Sequence, residues 1–169
     1  MKKKTKIIYE KIKQGSQILT AEHAKFIEIF NDDLGKLPSV ETEVYWIGVS
    51  QELGELFTPN VRSGKWLLFI SKDKIDETWK KIQDATKKGL LGYFSKVSTA
   101  KSNKSSKDAN ARVICVYTYD YTDEMDRTRV RNELRKMGFT NKISYKTNAS
   151  TRNGKYFENG DKNISSFFE

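Results

Sequence analysis

The sequence predicts an α+β fold, a mostly antiparallel twisted sheet with helices packed on one face. Three observations predict it. From Trp66 onward the elements run strand, helix, strand, strand, helix, strand. The two helical stretches are short, amphipathic and punctuated at both ends, and the intervening runs are rich in β-branched and aromatic residues. At 169 residues the chain suits one domain, with residues 1–60 as a helical and strand extension, 62–160 as the core and 100–110 as a mobile loop.

Taken in order, residues 1–14 mix lysine with Ile7, Ile8, Tyr9 and Ile12, as in a short docked helix or arm. Thr20 is a plausible N-cap for a helix over AEHAKFIEIFNDD, with Ile27 and Phe30 at helical spacing. A loop through Gly35 and Pro38 leads to VYWIGV, a strand at 44–49 in which Trp46 reads as a core residue. Residues 51–60 form a second loop, and a strand follows from Trp66 to Ser71.

Asp73 is positioned to cap the next helix. Ile75, Trp79 and Ile82 form its buried stripe, and Lys87, Lys88 and Gly89 give the stop. Residues 93–99 alternate as a strand, with Phe94, Lys96 and Ser98 on one face and Tyr93, Ser95 and Val97 on the other. AKSNKSSKDAN reads as a loop, and residues 112–119 as the central strand. Thr122 is placed to cap a helix over 123–137 whose inner stripe is Val130, Leu134 and Met137. Arg127, Arg131 and Arg135 recur every four residues and are expected on its outer face, where they would suit an acidic protein partner. A last strand covers 142–147, two glycine turns flank KYFE, and Phe167 and Phe168 are expected to pin the C-terminal end.

Composition narrows the function. A net charge of +9 attracts phosphorylated ligands, nucleic acid or acidic surfaces. One cysteine and one histidine are too few for a zinc site built from those ligands, and no metal or cofactor is expected. Cys115, inside VICVY, reads as a small buried hydrophobe. MKKKTK is not followed by a signal-peptide apolar run, and no stretch approaches the roughly 18 apolar residues of a membrane span. The expectation is a soluble, cytoplasmic protein with no membrane partner.

Arg62, Lys65, Lys96, Arg112, Lys146 and Arg152 lie in or beside predicted strands and the final loop. If several converge, the mixture of arginine forks and lysine point charges suits a phosphoryl group. Trp66, Tyr145 and Tyr156 would then supply a stacking face for a base. The competing reading is a set of independent surface cations. Lys96 is the sharpest case: it shares a face with Phe94, and burial beside other cations would lower its pKa, as a lysine base requires.

The blocks SGKWLLFISKDKIDETWKKI, GYFSKVST, RVICVYTYDYTDE and SYKTNASTRNGKYFENG, in that order, resemble the basophilic leukemia-expressed protein family over roughly residues 62–160. That family is similar in fold to the messenger-RNA cap-binding initiation factors and has been described as phosphothreonine lyase-like. The resemblance implies a nucleotide or RNA end as ligand, or a lyase. More distantly, the chain resembles the bacterial effector phosphothreonine lyases. By that resemblance Lys96 in SKVST matches the proton-abstracting lysine, and Arg112 matches a phosphate-holding arginine. Where those enzymes carry a lysine and a histidine on the earlier strand, this chain has Leu67 and Phe69, and His23 lies in another segment. Without a general acid an elimination loses roughly a hundredfold to ten-thousandfold, so binding of a phosphorylated ligand is the leading expectation and lyase chemistry the alternative.

Overall fold

The computed structural model describes residues 35–51, 60–103, 108–152 and 167–169. The expected helix after Thr20, most of the 51–60 loop, Tyr156 and the KYFE turns lie outside the described residues. A six-stranded sheet is built from β1 (Trp46–Ser50), β2 (Gly64–Ser71), β3 (Phe94–Ser98), β4 (Ala111–Thr118), β5 (Ser144–Thr147) and β6 (Phe167–Phe168). Its spatial order is β1-β3-β4-β2-β5-β6, and every neighbouring pair is antiparallel. Helices α1 (Ile75–Lys87), α2 (Glu124–Lys136) and the short α3 (Asn148–Arg152) accompany the sheet among the described residues. This is the α+β class that the sequence predicts.

Strand alternation divides the side chains between two faces. Ile47, Val49, Trp66, Leu68, Val97, Ile114, Val116 and Tyr145 turn to one side, where Ile75, Trp79 and Ile82 of α1 and Val130 and Leu134 of α2 cover them. Burying each large side chain contributes roughly 1.5–3 kcal/mol, so this face holds the sheet and both long helices together. Tyr93, Phe94, Cys115 and Tyr117 form a second cluster, with Trp46, Leu67 and Val113 packed against it.

Local details depart from the expected ones. Lys74, without a side-chain cap, occupies the N-cap of α1, because the Asp73 carboxylate is engaged by the Ser71 hydroxyl. Asp76 instead ties down the preceding loop, accepting from the Ser39 amide at 2.9 Å and its hydroxyl at 2.6 Å. Asp123 caps α2 by accepting from the Asp126 amide, while the Thr122 hydroxyl donates to Asp120. Gly89 and Gly138 end the two helices at positive φ, 72° and 100°.

The larger correction concerns the arginines of α2. Arg127 and Arg131 are buried, at 7% and 0% exposure. Arg131 donates to the carbonyls of Phe139, Asn141 and Glu169, and Arg127 to that of Tyr121. Both guanidinium groups are spent on backbone carbonyls inside the domain, so the expected outward ridge does not exist. Among the three, Arg135 alone remains on the exterior, and an acidic partner loses its docking ridge.

Phe167 and Phe168 do fasten the C-terminal end, as expected: β6 pairs with β5, and the Phe167 ring lies 5.8 Å from that of Tyr145.

Candidate phosphate-binding face of the sheet

The side of the sheet opposite the helices is set by residues alternating with the core. Lys65 stands on β2 between Ser63 and Leu67, out of phase with Trp66 and Leu68. Its cross-strand partners are Tyr117 on β4 and Lys146 on β5. One step along, Lys96 on β3 pairs with Cys115 on β4 and with Gly48 on β1. Three lysines on three strands therefore converge around Cys115 and Tyr117. Gly48 has no side chain, which leaves room beside Lys96 for the Trp46 ring.

Aromatic rings and short polar side chains surround the amines. Lys96 Nζ lies 4.0 Å from the Trp46 ring centroid and 5.9 Å from that of Tyr117. Lys65 Nζ lies 5.3 Å from the Tyr117 ring, and donates to Asn148 Oδ1 at 2.9 Å and Thr151 Oγ1 at 3.0 Å. Both acceptors belong to α3, which begins directly after the lysine-bearing β5. Nearby, the rings of Tyr93 and Tyr119 stack at 4.5 Å, with Gln51 Nε2 donating to the Tyr119 hydroxyl.

Burial of these cations carries an electrostatic cost. Lys65 and Lys146 are 7% and 5% exposed, while Lys96 is partly buried. Among the described residues, neither Lys65 nor Lys96 has an acidic side chain in ion-pair distance. Loss of water pulls Lys65 down to about 8. Attraction to Cys115 opposes that shift, and repulsion from Lys96 and Lys146 adds to it. Burial likewise lowers Lys96, against the same pull from Cys115. The Cys115 thiol is pushed up by its own burial, while Lys96, Lys65 and Lys146 all act to lower it. Cys115 is thus a buried thiol, as expected, and it forms the floor on which the three amines meet.

The expected site residues separate into groups. Lys65, Lys96 and Lys146 come together. Trp66 is fully buried on the opposite, helix-covered face, where its Nε1 donates to the Arg127 carbonyl at 3.3 Å. Tyr145 lies beside it, ring centroids 5.0 Å apart, with its hydroxyl bonded to Thr118 at 2.6 Å. Neither ring faces the lysines, because both occupy the alternate strand parity.

Arg112 also has the wrong parity and sits near the far end of β4, opposite Ile70. Its guanidinium donates to the carbonyls of Ala109 and Ala111. Arg62, an exposed residue, pairs with Asp120 at 2.5 Å. Arg152 ends α3, one residue after Thr151, and Tyr156 lies outside the described residues.

Trp46, Tyr117, Asn148 and Thr151 are the components that sequence reasoning missed. Alternation offered a signal for two of them: Trp46 is two residues from Gly48, and Tyr117 two from Cys115, both facing Lys96. The two α3 acceptors carried no such signal, because their contact with Lys65 depends on how α3 turns back after β5.

A family model for the basophilic leukemia-expressed protein Bles03 matches residues 49–153. The chain belongs to the Bles03 family. The matched segment contains all three lysines and both polar partners of Lys65. Among solved structures, the chain is similar to C. elegans eIF4E-3 in complex with the 4E-binding protein Mextli. That match has a TM-score of 0.44 and 15% identity and covers 54% of this chain and 56% of that one. Ascaris suum eIF4E-3 with m2,2,7G cap is similar at a TM-score of 0.40 and 18% identity, over 53% of this chain and 52% of that one. The chain therefore spans about half the length of each.

Among the described residues no cluster of three or more metal-ligating His, Cys, Asp or Glu side chains occurs, and no helix is long and apolar enough to cross a membrane.

Proposed function

We propose that the face of the sheet opposite α1 and α2 binds a phosphorylated ligand carrying an aromatic ring, a nucleotide or the end of an RNA. The convergence of Lys65, Lys96 and Lys146 carries this reading. Ammonium groups at Lys65 and Lys96, withdrawn from water and without acidic partners among the described residues, oppose folding, and an anion that neutralised them would gain from water's exclusion. Trp46 and Tyr117 lie beside the amines and suit a base stacked next to its phosphate. Arg152 and Tyr156, which follow Lys146 closely along the chain, remain candidates for the rim. Arg112, Trp66 and Tyr145 drop out of the proposed site.

The test is an equilibrium titration with inorganic phosphate, a nucleoside triphosphate, an m2,2,7G cap and a short 5′-phosphorylated RNA. Wild-type protein should bind at least one of them, with an affinity that falls as salt rises. The Lys65→Met/Lys96→Met double variant should lose tenfold or more. Equal binding by both proteins would refute the proposal.

A second reading is a carbon–oxygen lyase, favoured by the lowered basicity of Lys96. Its neutral amine would take the proton α to a carbonyl as the C–O bond to phosphate breaks. The described residues include no histidine to protonate the departing phosphate. A phosphothreonine peptide that loses phosphoric acid with wild type and keeps it with Lys96→Ala would establish this chemistry, and an unchanged peptide would exclude it for that substrate.

A further inference from the structure

The Lys65 nitrogen is held by two side chains of α3. Asn148 Oδ1 and Thr151 Oγ1 accept two hydrogen bonds from it, 2.9 and 3.0 Å away. A neutral amine has two hydrogens to donate and one lone pair. With both hydrogens engaged by α3, the lone pair takes the remaining tetrahedral position, for which no hydrogen-bond donor occurs among the described residues. The Tyr117 ring lies 5.3 Å off and leaves that position apolar on one side.

Tyr117 and Cys115 face Lys65 from β4, Lys96 from β3, Lys146 from β5, and the uncharged Asn148 and Thr151 from α3. Two like charges and a dry setting favour the neutral amine, which is the form that attacks a carbonyl. The other two lysines are placed to hold a phosphate while it does so.

We propose that Lys65 is a carbonyl-capturing amine, forming an imine with an aldehyde or ketone that carries a phosphate held by Lys96 and Lys146. The step balances within the pair of reactants. The Lys65 nitrogen donates its lone pair to the carbonyl carbon, the C–N bond forms, and the carbonyl oxygen departs as water with the two amine protons. The product is a neutral imine; once its nitrogen takes a proton from water, the resulting cation next to a bound phosphate would draw electrons from the adjoining carbon, as lysine-dependent aldol chemistry uses. This inference rests on the phosphate-binding reading of the same face.

Pyridoxal phosphate, an aromatic aldehyde with one phosphate monoester, is the probe. The full chain is treated at pH 7.5 with a substoichiometric amount, then with borohydride to reduce the imine, and digested for mass spectrometry. The expected result is one predominant adduct, on the peptide containing Lys65, suppressed by excess inorganic phosphate. Pyridoxal lacking the phosphate should label Lys65 at least tenfold more slowly. Lys65→Arg should lose the adduct, and Lys81→Arg, at an exposed position of α1, should keep both the adduct and phosphate binding. Label spread over the surface lysines with Lys65 unmodified overturns the proposal. If phosphate binds wild type and protects no lysine, capture fails while the binding reading stands; if phosphate does not bind at all, both fail.

Discussion

Lys65 and Lys146 stand directly opposite each other on β2 and β5, both nearly buried, in a sheet where facing like charges oppose folding. Nothing in the helix-covered core requires that pairing. It is the kind of local conflict that proteins retain where a ligand is to be bound.

Replacing Lys65 with methionine should therefore stabilise the protein while weakening anion binding. The pH dependence has a definite sign. Lys65 is lowered to about 8 from an ordinary value of 10.5, so between those values the unfolded chain holds a proton that the folded chain has released. Stability contributed through this group rises with pH across that window, and its penalty is fully present below pH 8. Lys65→Met removes the penalty, on the order of 1–3 kcal/mol at pH 7. Urea denaturation at pH 7 and pH 10 should show the gap between variant and wild type narrowing at the higher pH. A gap that widens with pH would contradict the placement of Lys65.

Arg131 should behave as a structural residue. Arg131→Leu leaves the carbonyls of Phe139 and Asn141 without this donor, while that of Glu169 keeps the Ile143 amide, and should cost about 2–4 kcal/mol. Arg135→Ala, on the exposed side of the helix, should stay within about 0.5 kcal/mol of wild type. Denaturant midpoints measure both, and phosphate affinity should follow neither change beyond what unfolding explains.

Gly92 lies against the backbone carbonyl of Tyr117, so a Cβ there meets main chain that cannot swing aside. Gly92→Ala should destabilise by about 1–3 kcal/mol. Because the same stretch of β4 carries the ring beside Lys65 and Lys96, the variant should also weaken ligand binding at temperatures where it is still folded. Thermal unfolding together with a phosphate titration at 15 °C would check both effects.

The strands and both long helices were legible because their cues are local: β-branched runs, apolar residues spaced at four and seven, and glycines at helix ends. Lys96 was legible for the same reason, since alternation with Val97 fixes its face. Trp66 was misplaced because KWLLFI is apolar at almost every position, and only Lys65 breaks the run. The alternation that puts Lys65 on the open face necessarily puts Trp66 in the core. The arginines of α2 show the converse error. Arg127, Val130, Arg131 and Leu134 recur at i, i+3, i+4 and i+7, the spacing of one buried face, and charge alone suggested the outside. Pairing of Lys65 with Lys146 depends on β5 docking against β2 across 80 residues, and no periodicity within either strand encodes it.

The most direct test of the lysine site is a proton–carbon NMR spectrum of lysine Cε groups, recorded during a titration with inorganic phosphate. Lys65, Lys96 and Lys146, assigned by single substitution, should shift together and saturably, while the exposed Lys81 and Lys136 stay still. Uniform small shifts across all lysines, with none saturating, would contradict a phosphate site on this face.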